Sequence, residues 1–108
     1  MKPIEKALDI LWAKAVKVKS GWICKTCRSR ADESHHIVSR KHKAVRWEID
    51  NGVALCTQCH SLATDKKITF KVPDNIEEKR KEVGKFKSWE LEEKLIELRV
   101  FVKQREER

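Results

Sequence analysis

Two Cys-x-x-Cys pairs constrain this chain more than any other feature: Cys24 with Cys27, and Cys56 with Cys59. They hold every cysteine of the sequence. Pairs of this kind are the usual mark of a tetrahedral four-thiolate zinc site. Two disulfides are the alternative. Cys-x-x-Cys disulfides are mostly redox-active, however, no βαβ pattern surrounds these pairs, and the N-terminal residues do not read as a secretory signal. Free thiols suit a reducing cytoplasm. The spacing therefore predicts one structural Zn²⁺ on Cys24, Cys27, Cys56 and Cys59. Residues 28–55 separate the pairs, longer than an ordinary zinc ribbon, so the metal closes a substantial insert.

A length of 108 residues allows one small domain, residues 1–108. The core of such a chain is thin, charged residues make up 39% of it, and tyrosine is absent. A structural metal is a reasonable staple under those conditions. No stretch is apolar enough to span a membrane. The net charge of +8 is unevenly placed. Residues 14–47 carry ten Lys/Arg against two acids, and residues 75–108 carry ten against nine. The excess surrounds the insert, which is the footprint of a polyanion binder. Arg40, Lys41, Lys43 and Arg46 are the expected phosphate contacts, with Lys14, Lys17 and Lys19 as further candidates. Trp47 could stack on a base, but a buried anchor suits a lone Trp before Glu48 better.

The periodicity predicts a helix over 3–19, with Pro3 in its first turn and Ser20-Gly21 as its stop. Ile4, Leu8, Leu11, Ala15 and Val18 form its apolar stripe, with Trp12 on the flank. Residues 33–38 read as a strand, Ser39 to Glu48 as a basic loop, and Gly52 to Leu55 as a second strand. A helix follows from Thr57 to about Ala63, closing a core of 24–64. Residues 64–73 are a connector in which Ile68 to Val72 could be extended. Asn75-x-x-Glu78 resembles a capping box for a helix over 76–83, and Gly84 breaks it. A last helix over about 88–104 places Leu91, Leu95, Leu98 and Val102 on one face and Trp89, Ile96 and Val100 nearly opposite. A helix apolar on two sides is buried on two sides, against either the N-terminal helix or a second subunit in a homodimer.

The insert also holds all four histidines or borders them: the doublet His35-His36, His42 among basic residues, and His60 directly after the last cysteine. His35-His36 precedes Ile37-Val38 and belongs to the strand. Asn51 lies between, in Asp50-Asn51-Gly52, which is also a strong turn signal. Phosphodiester hydrolysis needs an activated water, stabilisation of charge on phosphate, and help for the leaving oxygen. An imidazole titrating near neutrality can activate the water, and a divalent cation can hold the oxygens.

Cys-x-x-Cys, His-His-Ile, Asn and Leu-Cys-x-x-Cys-His, in that order, resemble the HNH nuclease family, in the subgroup whose ββα-metal (His-Me finger) motif is braced by a four-cysteine zinc. The likeness covers Cys24 to about Thr64. It implies an α+β fold with flanking helices and a metal-dependent endonuclease that hydrolyses DNA phosphodiester bonds with one catalytic divalent ion, nicking one strand per site. It implies His36 as general base, Asn51 as the residue orienting it through a backbone or ring hydrogen bond, and His35 and His60 as ligands of a catalytic cation. That cation would be Mg²⁺, Mn²⁺, Ni²⁺ or Zn²⁺, and an all-histidine site favours the softer ions. Adjacent strand residues face opposite ways, so the doublet requires a twist or bulge to serve one site. Many relatives carry an acid before the base, which leaves Glu33 or Asp32 as alternatives to His35.

Ser39-Arg40, Arg46-Trp47, the leading helix and the Trp89-to-Glu92 segment are similar to phage recombination proteins of the NinG type. That likeness implies a phage or prophage origin, a bacterial or infected-host cytoplasm, partners in packaging or recombination, and, as a second reading, a resolvase of branched DNA. A non-catalytic zinc module that binds DNA is a third, and it has no need of His36, Asn51 and His60 together.

Overall fold

The computed structural model describes residues 2–106. The chain begins with α1, Pro3–Lys19, which has Pro at its start, Glu5 in its first turn and Lys17 and Lys19 in its last. That placement of charge complements the helix dipole. Its buried face is Glu5, Leu8, Trp12, Ala15 and Val16. The expected stripe is thus rotated: Trp12 lies at its centre, 2% exposed, while Ile4, Leu11 and Val18 form half-buried edges. Burying an indole requires a partner for its N–H, and Trp12 Nε1 donates to the Glu48 carbonyl at 2.8 Å.

Strands β1, Glu33–His36, and β2, Gly52–Leu55, pair antiparallel, with Glu33 opposite Leu55 and His36 opposite Gly52. Two short strands are not stable alone. Here α1 covers one face, and Ser34 Oγ donates to the Ala13 carbonyl at 2.6 Å. Gly52 lies directly beneath α1. A Cβ there would stand 2.3 Å from Val16 Cγ2 and 2.8 Å from Trp12 Cζ2, so the crossing admits only glycine. α3, Thr57–Thr64, follows β2 and completes the expected ββα unit of an α+β fold.

The segment between the strands is more ordered than a basic loop. It contains a helical turn, α2, Lys43–Arg46, in which Ala44, Val45 and Arg46 are buried, and a 3₁₀ turn at Ile49–Asn51. Val38, Val45 and Ile76 form a small second core with Val72 packed on it. That cluster ties the segment to α4, Asp74–Lys79. The expected capping box is not formed: the N-cap is Pro73, without a side-chain bond, and Asn75 Nδ2 donates to Asp50 at 3.0 Å instead. Residues 68–72 form no strand. Gly84 serves a close approach, since a Cβ would lie 2.7 Å from Lys43 Cβ and 2.8 Å from the Ala44 nitrogen.

The last helix, α5, Ser88–Glu106, packs along α1 through Leu91, Leu98 and Val102. The main core joins these residues to Leu8, Trp12, Ala15 and Val16 of α1, to Val53, Ala54 and Leu55 of β2, and to Ala63 of α3. Lys14 and Glu106 close the α1–α5 seam at 2.8 Å. The second apolar side of α5 is not buried within the chain: Trp89, Ile96 and Val100 are 60%, 59% and 47% exposed. Among the described residues, no helix is long and apolar enough to cross a membrane.

Candidate metal centres and the histidine cleft

The two knuckles meet at the edge of the ββα unit. In the first, Cys24 N donates to the Ser29 carbonyl at 2.7 Å and Arg28 N to the Cys24 carbonyl at 3.1 Å, folding the chain back on itself. Arg28 takes φ 66° at this turn. Lys25 N donates to the Ala54 carbonyl at 3.0 Å and Asp32 N to that of Leu55 at 3.1 Å, which fixes the knuckle to β2. In the second, Cys56 is the N-cap of α3, its Sγ accepting from Cys59 N at 3.4 Å.

The four Sγ atoms lie within 4.8 Å of one another. Cys27 and Cys56 Sγ are 3.7 Å apart, far longer than the ~2.05 Å of a disulfide, and all four cysteines are free. Burial opposes ionisation of Cys24, yet backbone N–H groups of Cys27, Cys56 and Thr26 bring it down to about 6. Hydrogen bonding to Cys56, with burial and the neighbouring sulfurs, pushes Cys59 up to about 12. Thiolates crowded together in this way oppose one another's ionisation unless a cation joins them. The four-sulfur set fits a tetrahedral Zn²⁺.

β1 distributes the remaining groups by the two-residue period of a strand. Ser34 meets α1, as does His36, whose ring stacks on Trp12 with centroids 3.8 Å apart and planes within 8°. His36 Nε2 lies 2.9 Å from the Arg46 carbonyl. A carbonyl only accepts, so Nε2 carries the proton, and in the neutral ring Nδ1 keeps its lone pair. Burial holds the His36 pKa below the usual histidine value, with the Arg46 carbonyl bond and Asp9 opposing, and Arg40 and Arg46 assisting. The base candidate is therefore neutral at neutral pH.

Glu33 and His35 lie toward α3. His60 Nδ1 is 2.7 Å from Glu33 Oε1. A carboxylate paired with one ring nitrogen leaves Nε2 as the lone-pair atom, the usual orientation of a metal-binding histidine. Hydrogen bonds from Thr57 and His60 hold Glu33 below the usual carboxylate range. His35 meets His60 edge to face, with centroids 5.3 Å apart. Burial, then repulsion from His60, lowers its pKa. Asp32 is turned to Arg30 at 3.3 Å, on the surface. No bulge interrupts the β1–β2 register; instead an open cleft of about 430 Å³ is lined by His35, His36 and His60 together with Asp9, Trp12, Ser34, Ser39 and Arg40.

Asn51 is fully buried. Its Oδ1 accepts from Val38 N at 2.7 Å, and its Nδ2 donates to the Val38 and Val45 carbonyls, both at 3.1 Å. Its carbonyl accepts from Ile37 N at 3.0 Å. The hydrogen bond expected from Asn51 to His36, by backbone or ring, is made instead by the Arg46 carbonyl, and Asn51 clips together the two segments that flank His36.

The basic residues divide. Arg46, expected at phosphate, is 6% exposed and grips Asp9 through Nε at 3.0 Å and Nη2 at 2.6 Å. Trp47 Nε1 donates to the same Asp9 carboxylate at 2.8 Å, which makes this Trp the buried anchor. Burial alone would raise the Asp9 pKa, but the bonds from Arg46 and Trp47 outweigh it. Lys43 pairs with Glu5 at 2.9 Å, and Lys14 and Lys19 pair with Glu106 and Asp50. Lys17 reaches the Asp32 carbonyl at 3.4 Å. Arg40, its Nη2 4.0 Å from Asp9 Oδ2, and Lys41 remain exposed. Sequence reasoning did not find Asp9 and Trp12 as neighbours of the base, nor the Arg46 carbonyl as the group that orients it. A further cavity of about 400 Å³ beside α5 contains Glu48 and Asp50. Both carboxylates are already paired, Glu48 with Lys79 and Lys94 and Asp50 with Lys19.

Neither the curated proteins nor the solved structures provide a match to the chain. Residues 24–66, which hold both knuckles, both strands, the histidines and α3, match the model of the HNH endonuclease family.

Proposed function

We propose that the protein is a metal-dependent HNH endonuclease that hydrolyses DNA phosphodiester bonds and nicks one strand per site. The observation that carries the reading is His36: a ring neutral at neutral pH, its Nε2 bonded to the Arg46 carbonyl, on a cleft it shares with His35 and His60. His36 Nδ1 takes the proton of the attacking water. His35 and His60 hold the catalytic cation, His60 through Nε2 because Glu33 occupies Nδ1. When bound, the cation stabilises charge on the phosphate and leaving oxygens. Asn51 keeps the segments around His36 in place, and Trp12 stacks on its ring. Arg40 and Lys41 steer phosphate to the cleft. Zn²⁺ on the four thiolates braces the fold.

A resolvase of branched DNA, of NinG type and phage origin, is the second reading. It is favoured by Glu33, which stands three residues before His36, as an acid does in NinG-like sequences, and bonds His60. A zinc module that only binds DNA would leave the His36 arrangement without a use. The exposed side of α5 suits a homodimer: Glu92 and Glu93 border the Trp89–Ile96–Val100 stripe at one end, and Arg99 and Lys103 at the other. An antiparallel second copy centred on Ile96 would set those charges opposite each other.

The test is incubation of the protein with supercoiled plasmid and a panel of Mg²⁺, Mn²⁺, Ni²⁺ and Zn²⁺. Conversion to open circles with at least one ion supports the reading, and intact plasmid with all four contradicts it.

A further inference from the structure

The histidine cleft continues into a second groove of about 450 Å³. His35, His36 and Ser39 line both spaces. Beyond them the groove is walled by Ile37, Ala63, Ile68 and Phe70, with Thr64, Lys66 and Thr69 as its polar lining. Phe70 is half-buried, its ring centroid 6.1 Å from that of His35 and its plane tilted by 52°. The volume lies within the ~300–1,000 Å³ of small-ligand sites, and an apolar wall with a few polar groups is their usual chemistry.

Charge points to the occupant. Lys66, Lys67 and Lys71 follow α3 and are exposed. Among the described residues none of the three forms an ion pair, whereas Lys14, Lys19, Lys43, Lys79 and Lys94 all do. An apolar, ring-lined slot beside unneutralised lysines matches a nucleotide, which brings a flat base and a phosphate together. A base inside a duplex shows only its edge. Reaching the slot requires a base that is unstacked and turned out of the helix.

We propose that this groove receives one unpaired nucleotide next to the cut, its base against Phe70 and Ile68 and its phosphates on Lys66, Lys67 and Lys71. The preferred substrate is then DNA carrying a bulge, a junction or a single-stranded segment beside the scissile bond. The proposal rests on the nuclease reading for its biological sense, but binding can be measured apart from cleavage.

The experiment is fluorescence anisotropy without added divalent ion, on a fully paired oligonucleotide duplex and on the same duplex with a single-nucleotide bulge. Base–aromatic contacts of this kind alter affinity by about tenfold, so wild-type protein is expected to bind the bulged duplex about tenfold more tightly. Phe70→Ala removes the stacking wall, and Thr69→Glu sets an anion at the exposed lip of the groove. Both are expected to abolish the preference while affinity for the paired duplex changes by less than about threefold. If Phe70→Ala lowers the melting temperature, Thr69→Glu, a surface change, decides. Equal wild-type affinity for both duplexes, a preference retained in Thr69→Glu, or no binding to either duplex overturns the proposal. Failure of the nuclease reading gives a different result: plasmid left intact while the anisotropy preference persists.

Discussion

Replacing Asn51 by Ala separates a structural clip from a group that acts on substrate. Asn51 is fully buried and makes three side-chain hydrogen bonds, to Val38 N, the Val38 carbonyl and the Val45 carbonyl. Alanine removes all three bonds in a site that excludes water, where the Val45 carbonyl keeps another donor, Glu48 N at 3.2 Å. At ~1 kcal/mol for each such bond the loss is about 3 kcal/mol, a large part of the ~5–15 kcal/mol that stabilises a domain. For a chain of about this length, each kcal/mol moves the melting temperature by ~4 °C, so the midpoint should fall by about 12 °C. Circular dichroism melting of the zinc-loaded protein gives the number. Below its new midpoint the variant should also lose activity, because Val38 and Val45 flank the turn that presents the Arg46 carbonyl to His36. Asn51→Asp keeps the bond from Val38 N and loses both donors, so it should fall between. A melting temperature within about 3 °C of wild type for Asn51→Ala would refute the reasoning, because the three bonds would then contribute under ~1 kcal/mol together.

Cys56→Ser removes a thiolate while leaving a hydroxyl that can still cap α3; it should release zinc and lower helical content, checked by elemental analysis and circular dichroism, since metal binding at such sites is folding energy. Cleavage should also depend on pH through His36, whose pKa is lowered by burial and faced by Asp9, Arg40 and Arg46. The base is active when neutral, so the rate should stay level from neutrality down to below the ordinary histidine value of ~6.5 and drop only at lower pH. The same depressed pKa means that the unfolded chain binds more protons than the folded one near that value, so stability too should fall as pH drops through it. Light scattering should find a dimer that Ile96→Glu dissociates; a monomer at every workable concentration removes that idea.

Much of the site was legible because its signals are local. The two Cys-x-x-Cys pairs, a strand carrying His35-His36, expected over 33–38 and formed over Glu33–His36, and His60 behind the last cysteine are each signalled by residues near one another in sequence, and the structure gathers them. Helix α1 was found from its 3.6-residue period and its Pro3 and Ser20 ends. What was missed depends on contacts distant in sequence. Arg46 reads as one more cation in a basic run, and only the approach of Asp9 from α1 turns it inward. Trp12 seemed peripheral because periodicity cannot tell which side of a helix covers a strand that is far away in sequence. The capping box failed at Asn75 because Asp50 offered its side chain another partner. Orientation of His36 by a main-chain carbonyl leaves no trace in residue type at all.

The central claim is that His36 is the base of a phosphodiester hydrolase. The most direct measurement compares wild type and His36→Ala on supercoiled plasmid under the same divalent ion, alongside DNA affinity, zinc content and melting temperature. His36 contacts none of the four cysteines and is not one of the proposed cation ligands. His36→Ala should therefore keep its zinc and its DNA affinity while the nicking rate falls by ~10²–10⁴-fold. A variant that nicks at the wild-type rate, in preparations free of contaminating nuclease, would contradict the account.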